Sequence, residues 1–193
     1  MYQNMKSLLF LVNVDWFFLS HRLPIAIQAI DKGYDVHLAC LFTDKKAQLQ
    51  DLGITCHSID FSRSGSSIKC ELHTIFSIRR LVKSLDVDIV HAITIKPVIY
   101  TGLSLQSIKN PPAFVAAISG LGYIFSAVTL RAKIMKVLVT LMYKIAFRNK
   151  LKLVIFQNTS DQAILSEIVN LSEKDRVLIK GSGVDLSVSY LSR

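Results

Sequence analysis

Cysteine is scarce in this sequence of 193 residues, and its three copies suggest neither a covalent nor a metal framework. Cys40, Cys56 and Cys70 form no C-x-x-C pair and are odd in number, so neither a disulfide framework nor a zinc site is indicated. Cys40 and Cys56 fall in predicted strands, where we interpret them as small buried apolar residues. Reduced thiols are typical of the cytosol.

Long uninterrupted apolar runs are also lacking. The segment 8–19 is interrupted by two polar residues and is followed by no small-residue cleavage site, so we expect no signal peptide. The segment 134–147 contains Lys136 and Lys144 and is shorter than the ~20 residues that span a bilayer. We therefore expect no transmembrane helix.

Acidic residues are few relative to basic ones, which gives a formal net charge of +9. This excess favours an anionic partner: a phosphorylated ligand, an anionic membrane surface or a polyanion. Aromatic residues do not alternate with Lys and Arg, and the sequence contains no helix-turn-helix, zinc-finger or RNA-binding signature. Nucleic acid is therefore not expected as a partner.

What the sequence does contain is a regular alternation of short apolar strands with helical patterns. The predicted strands are 7–14, 35–41, 54–59, 88–93, 112–118, 151–157 and 176–180. The predicted helices are 19–32, 44–52, 69–85, 97–108, 129–149 and 159–169. Pro97 is expected in the first turn of its helix, and Thr159 with Gln162 to form a capping box. Strands that are apolar throughout and separated by helices predict an α/β fold: one doubly wound, Rossmann-like domain over residues 1–180, with a parallel sheet of about seven strands.

Ligands of such sheets bind beyond the carboxyl ends of the strands. After the first strand the dinucleotide fingerprint G-x-G-x-x-G is absent, which argues against an NAD or FAD site. Asp15, an aromatic cluster and the trio Ser20, His21 and Arg22 stand there instead, the trio at or near a helix N-terminus that favours an anion. The alternative is that the aromatic residues are core and the trio is a solvated first turn.

Polar residues also follow the later strands. Thr94 and Lys96 lie on the loop after the fourth strand, where a lysine suits a phosphate, whereas we interpret His91 as a satisfied core histidine. The fifth strand is followed by Ser119-Gly120-Leu121-Gly122-Tyr123, in which the glycines allow either a close approach to a ligand or a tight turn. Asn158, after the sixth strand, is a minor candidate for a ligand contact.

The helix predicted over 129–149 has an unusual charge pattern. A polar stripe recurs at spacings of three and four and contains Lys133, Lys136, Thr140, Lys144 and Arg148. The side predicted to lie opposite this stripe is apolar and contains Ile134, Leu138, Leu141 and Ile145. No acid occurs from residue 131 through 152, so we favour attraction to anionic lipid headgroups at ~1 kcal/mol per cation. The alternative is a solvated surface helix packed on the sheet.

Several segments together resemble one family. The chain resembles the N-terminal half of a family-4 glycosyltransferase of the GT-B fold, in particular the bacterial enzymes of O-antigen, lipopolysaccharide, capsule or other lipid-linked glycan synthesis. The segments that carry the resemblance are 12–24, Asp88-Ile89-Val90-His91, Thr94-Ile95-Lys96-Pro97, 119–123, Phe156-Gln157-Asn158 and Gly181-Ser182-Gly183-Val184-Asp185.

The resemblance implies two Rossmann-like domains facing each other across a cleft, with this chain on the acceptor side. It implies a retaining, metal-independent transfer of a sugar from a nucleotide-sugar substrate to a polyprenyl-diphosphate-linked glycan, with no cofactor. The paired glutamates of the donor domain are not in this chain. Gly181, Gly183 and Asp185 would begin the interdomain hinge, with residues 181–193 as its start, so we expect this chain alone to bind without catalysis.

The resemblance also implies residue roles. The implied acceptor contacts are Ser20, His21, Arg22, Thr94, Lys96, Gly120, Gly122 and Tyr123. Arg22 and Lys96 are the expected phosphate or sugar contacts, and Asp15 and His21 are the candidates for catalysis. Two departures limit the comparison: Val14-Asp15-Trp16 replaces the Gly-Gly turn of many members, and Ile93 replaces a cleft histidine of some members.

The expected location is the cytoplasm, peripheral to the inner face of the cytoplasmic membrane, with Lys133, Lys136, Lys144 and Arg148 toward the lipid. The expected partners are the lipid-linked acceptor, that anionic surface and a separately encoded donor domain. Two alternatives remain open. The first is that the chain is a non-catalytic, membrane-associated subunit of a split glycosyltransferase. The second is that it is an unrelated nucleotide-binding or reductase domain.

Overall fold

The computed structural model describes residues 5–61, 67–121 and 129–181, which form one sheet of seven parallel strands covered by helices. The strands are β1 (Ser7–Val14), β2 (Asp35–Leu41), β3 (Thr55–Ser58), β4 (Ile89–Ile93), β5 (Ala113–Ile118), β6 (Lys152–Phe156) and β7 (Arg176–Leu178). The strand order is β3-β2-β1-β4-β5-β6-β7, and every neighbouring pair is parallel. The predicted doubly wound, Rossmann-like fold is confirmed.

Helices connect the strands. They are α1 (Asp15–His21), α2 (Leu23–Asp31), α3 (Lys46–Asp51), α4 (Ile68–Leu85), α5 (Ile95–Leu105), α6 (Leu130–Ala146) and α7 (Thr159–Val169), and a 3₁₀ turn covers Glu173–Asp175. The chain order of the strands reverses between β1 and β4, whose pairing aligns Phe10 with His91. Crevices at such reversal points are where open α/β sheets bind ligands.

The core has two halves, one on each face of the sheet. Phe10, Phe18 and Leu38 belong to the half that α1, α2 and α3 cover. Leu9 and Tyr143 belong to the half that α4 to α7 cover. β1 and β4 contribute to both halves, which explains why their sequences are apolar throughout rather than alternating.

Helices α5 and α6 approach each other closely at Gly102. A Cβ placed on Gly102 would lie 2.5 Å from the Cβ and 2.8 Å from the carbonyl oxygen of Ala146. Small residues at both positions therefore set the distance between the two helices. This contact fixes α6 against the sheet.

The prediction of one helix over 19–32 is wrong. The structure has two helices in this region, and the first begins earlier than predicted. α1 starts directly after β1, and Arg22 separates it from α2 with φ −132° and ψ −13°. Pro24 is the second residue of α2. Its ring would clash with the carbonyl of Ser20 in a continuous helix, so α1 ends before it.

Two other helix starts differ from the prediction. The helix that contains Pro97 begins two residues earlier, at Ile95, so the proline still lies in the first turn. The predicted capping box of Thr159 and Gln162 is wrong. Asn158 is the N-cap, and its side-chain oxygen accepts the backbone N–H of Asp161 at 2.7 Å. Asn and Thr are both good N-caps, so sequence preference alone does not separate adjacent candidates.

Candidate functional site

The polar residues predicted after the strands collect at the carboxyl edge of the sheet, around the reversal point between β1 and β4. Ser20 and His21 lie in the last turn of α1, and Arg22 is the N-cap of α2. The trio therefore straddles the junction of two helices rather than occupying one helix N-terminus. Thr94 and Gly120 follow the neighbouring strands β4 and β5.

A small aromatic and polar cluster forms the part of this edge that α1 supplies. The Phe17 and His21 rings stack with centroids 4.3 Å apart, and Trp16 packs edge-on against Phe17. His21 Nδ1 lies 2.6 Å from Ser20 Oγ and 3.2 Å from the carbonyl oxygen of Phe17. A carbonyl only accepts, so a proton on Nδ1 is favoured, and Nε2 is left as an acceptor. An acceptor nitrogen at the carboxyl edge of the sheet suits a substrate hydroxyl.

Arg22 and His91 lie beneath that surface on the α1–α2 face. Arg22 is only 6 % exposed, and its Nη1 donates to the His21 carbonyl at 2.9 Å. His91 is 7 % exposed and packs on Phe10. Arg22 Nε and His91 Nε2 have no hydrogen-bond partner among the described residues. The prediction that His91 is a core residue is therefore confirmed, but the prediction that its polar atoms are satisfied is wrong for Nε2.

Burial also sets the charge of these two groups. It lowers the pKa of Arg22 below its usual value. It lowers the pKa of His91 to about 3, and the positive charge of Arg22 acts in the same direction. His91 is therefore neutral near pH 7, and Arg22 is the fixed positive charge under this edge of the sheet.

Asp15 holds the loop after β2 in place. Its buried carboxylate accepts the backbone N–H groups of Trp16, Thr43 and Lys45 at 2.7 to 3.2 Å and the Thr43 hydroxyl at 2.9 Å. Burial raises the pKa of Asp15, but these hydrogen bonds outweigh it and the net shift is downward. An ionised carboxylate with this many donors acts here as a structural tie.

Thr94 and Lys96 both have side-chain partners. Thr94 has φ 72°, which is rare for a β-branched residue, and its hydroxyl accepts from the Asn13 amide at 2.9 Å. Lys96 Nζ lies 3.1 Å from Glu71 of α4, whose carboxylate also accepts from the Tyr100 hydroxyl. Glu71 was not found from the sequence, because it lies 25 residues before Lys96 and nothing local marks it.

Gly120 forms the turn after β5. It adopts φ +80°, which favours glycine, and its N–H donates to Asp161 of α7 at 3.0 Å. Asp161 stands three residues after Asn158, a spacing that could have indicated a capping pair. Gly122 and Tyr123, the other predicted members of this loop, lie outside the described residues.

The predicted hinge begins at Gly181, which is the last residue that the structure describes. Gly181 is exposed and has φ +77°, a conformation that suits the glycine of a turn. Gly183 and Asp185 lie outside the described residues.

α6 carries Lys133, Lys136 and Lys144 of the predicted cationic stripe, whereas Arg148 follows two residues after the end of the helix, which is shorter than predicted. All four side chains are exposed. The core contacts come from a third side of the helix, which includes Val139, Tyr143 and Ala146. The apolar side was predicted to lie opposite the stripe. With a rotation of 100° per residue along the helix, it lies beside the stripe instead, and it is largely exposed. The exposed residues of this side are Ile134, Leu138 and Leu141, whereas Ile145 is half-buried.

A second helix adds to the exposed apolar surface. α4 and α6 both pack against α5 on one face of the sheet. Ile68, Leu72 and Phe76 of α4 are exposed, the last to 63 %. We call the exposed apolar residues of α6, together with the cationic stripe, the basic apolar face.

Two further observations concern the described residues only. They contain no group of three or more His, Cys, Asp or Glu side chains arranged to hold a metal ion. None of their helices is both long and apolar enough to cross a bilayer.

The chain is similar to several known proteins. Residues 7–185 match the model of the family described as glycosyl transferase 4-like. A curated relative, the N,N′-diacetylbacillosaminyl-diphospho-undecaprenol alpha-1,3-N-acetylgalactosaminyltransferase of Campylobacter jejuni, is 25% identical over 88% of this chain and 46% of its own length. The chain thus spans about half the length of that relative.

Two solved structures share the fold at low sequence identity. A glycosyltransferase from Rickettsia africae superimposes with a TM-score of 0.61 at 16% identity, covering 92% of this chain and 43% of its own. A sucrose-phosphate synthase from Thermosynechococcus elongatus superimposes with a TM-score of 0.62 at 12% identity, covering 95% and 49%. Together with the sheet order and the family match over residues 7–185, these findings identify the chain as a member of the glycosyl transferase 4-like family, with the Rossmann-like half of a GT-B fold.

Proposed function

We propose that this chain is the acceptor-binding half of a retaining, metal-independent glycosyltransferase that transfers a sugar from a nucleotide-sugar to a polyprenyl-diphosphate-linked glycan. The family match over residues 7–185 carries the proposal. The Campylobacter relative is named for transfer to a sugar on undecaprenyl diphosphate, which supports this acceptor class. Retention and independence of metal come from the family resemblance.

The acceptor site lies at the carboxyl edge around the reversal point of the sheet. Ser20 and His21 offer a hydroxyl and an imidazole at the cleft edge, and Gly120 offers exposed backbone. Lys96 binds a phosphate oxygen of the acceptor. Arg22 adds a buried positive charge at the same edge of the sheet, on the α1–α2 face.

The Glu71 carboxylate gives the Lys96 site a specific electrostatic character. It lies 3.1 Å from Lys96 Nζ, so a diphosphate has to share the ammonium group with this carboxylate. The ammonium group has three donors and can serve both partners at once. Glu71 thereby directs the lysine side chain and reduces the attraction of weakly charged competitors.

The basic apolar face is the membrane-docking surface of this proposal, because a lipid-linked acceptor remains in the bilayer. Each cation near an anionic surface contributes ~1 kcal/mol. The exposed apolar residues beside the stripe add burial at about 25 cal/mol per Å² once they enter the headgroup region. Cations and apolar groups on adjacent sides of one helix are typical of interfacial helices.

A transfer assay tests the proposed function. In a two-domain protein that contains this chain followed by a donor domain, transfer of labelled sugar to an undecaprenyl-diphosphate-linked monosaccharide should proceed in EDTA and retain the anomeric configuration. Lys96→Ala should reduce turnover at least ~10-fold, the usual order for a lost charged hydrogen bond. Lys83→Ala is the matched control, because Lys83 is exposed and lies at the end of α4 opposite to Glu71. Wild-type turnover in Lys96→Ala would refute the assignment of Lys96.

The split-subunit alternative is decided by the same assay. Transfer that is restored when a separately expressed donor domain is added to this chain would favour a two-chain enzyme. Transfer only within one continuous chain would favour the two-domain enzyme. Absence of transfer in both arrangements would refute the proposed reaction.

A further inference from the structure

The turn after β5 is tied to the start of α7 by a buried carboxylate. Asp161 Oδ2 accepts the backbone N–H of Gly120 at 3.0 Å and the side-chain amide of Asn158 at 3.0 Å. In return, Asn158 Oδ1 accepts the backbone N–H of Asp161 at 2.7 Å. Asp161 is 3 % exposed. One carboxylate oxygen thus joins a loop and a helix that are 41 residues apart in the sequence.

Capping of α7 accounts for only part of this arrangement. The Asn158 side chain already satisfies the N–H group of Asp161, which is the contact that an N-cap supplies. The bond to Gly120 adds nothing to the helix ladder. It determines instead the direction of the peptide plane before Gly120, in the turn that leaves β5 at the carboxyl edge.

The conformation of Gly120 shows why such a tie is needed. Its φ of +80° is one of several that glycine adopts at little cost, so the residue does not hold this conformation by itself. A Cβ at this position would meet no atom within 4 Å, so no neighbour packs against Gly120 itself, although the next residue, Leu121, is buried in the core. The charged hydrogen bond to Asp161 is the restraint that acts directly on the backbone of Gly120.

We propose that Asp161, oriented by Asn158, is a positioning residue that holds the Gly120 turn in the conformation that contacts the acceptor. This inference rests on the proposed function of the carboxyl edge. Asp161 itself faces away from solvent and touches no substrate. Its contribution is to preorganise the backbone of the turn before the acceptor arrives, so that binding does not have to order it.

Binding of undecaprenyl diphosphate in nonionic micelles tests the proposal with the 193-residue chain. Trp16, the only tryptophan, lies at the same edge and reports binding by its fluorescence. Asp161→Ala should weaken binding about 10-fold, the order expected from loss of a charged hydrogen bond. Asp161→Asn keeps an oxygen for Gly120 and should stay within about 3-fold of wild type. Asp31→Ala, at an exposed aspartate, is the control for charge.

Hydrogen exchange separates positioning from stability and from the proposed function. The amide of Gly120 should exchange at least ~10-fold faster in Asp161→Ala, without a matching change in the strands of the core. Asn158→Asp keeps a good N-cap but places a second carboxylate beside Asp161, and it should show the same pattern. It is the variant to use if Asp161→Ala does not fold.

The outcomes are distinct. Unchanged affinity in folded Asp161→Ala and Asn158→Asp, with wild-type binding intact, would overturn the positioning role and leave the proposed function standing. Failure of the wild-type chain to bind undecaprenyl diphosphate would refute the acceptor site, and therefore the role of Asp161 in it. In that case, faster exchange at Gly120 would identify Asp161 as a purely structural restraint.

Discussion

Removal of two stripe cations from α6 should weaken binding to anionic membranes much more than removal of two cations elsewhere. Lys136 and Lys144 are both exposed and lie on one side of the helix. At ~1 kcal/mol per cation, Lys136→Gln with Lys144→Gln should cost ~2 kcal/mol, or about 30-fold in the partition coefficient. The control pair, Lys32→Gln with Lys174→Gln, changes the net charge equally at exposed sites outside α6.

Flotation with vesicles of phosphatidylglycerol and phosphatidylcholine measures this partition coefficient. The wild-type chain should float with anionic vesicles and dissociate as salt shortens the Debye length from ≈ 8 Å at 0.15 M toward 3 Å at 1 M. Leu138→Ser should weaken binding to both anionic and neutral vesicles, because it removes apolar burial and leaves the charge unchanged.

Three results would refute this reasoning. Equal losses in the stripe pair and in the control pair would show that only net charge matters. Binding that is independent of lipid charge would remove the electrostatic part of the proposal. Wild-type binding by Leu138→Ser would mean that the apolar side of α6 does not enter the bilayer.

Two further predictions concern the core. Gly102→Ala should lower the free energy of unfolding by roughly 1–3 kcal/mol in a urea titration, because the new Cβ would overlap Ala146; an unchanged midpoint would show that α6 shifts freely. The pKa of His91 is lowered to about 3, so the unfolded chain binds more protons between that value and about 6.5. The free energy of unfolding should therefore fall as the pH drops through this window, and His91→Phe should make it depend less on pH. Titration of His91 near pH 6.5 in the folded protein, measured by NMR, would contradict this.

The sequence was sufficient to predict the sheet because each strand is a local signal. Val90 and Phe114 belong to apolar runs bounded by helical patterns, and parallel pairing requires such runs to be buried on both faces. The break at Arg22 was missed although Pro24 marks it, because the apolar spacing continues through the junction. Boundaries of one or two residues depend on cap geometry rather than on composition.

The candidate site was predicted in position but not in its contacts. Ser20, Thr94 and Gly120 do follow strands at the carboxyl edge, as the topology requires. Glu71 and Asp161 were missed, because each pairs with a residue at least 25 positions away. No local pattern encodes such a pair, since it arises only when elements that are distant in the sequence pack against each other.

The sequence by itself determined the fold class, the family resemblance and the cationic stripe of α6, all of which depend on residue order and helical or strand periodicity. Only the tertiary structure decided which side of α6 is exposed, that Arg22 is buried, and that Lys96 is paired with Glu71. The physical reason is that burial and ion pairing depend on neighbours brought together by long-range packing. The same apolar residue contributes to a core or to a docking surface according to what lies opposite it.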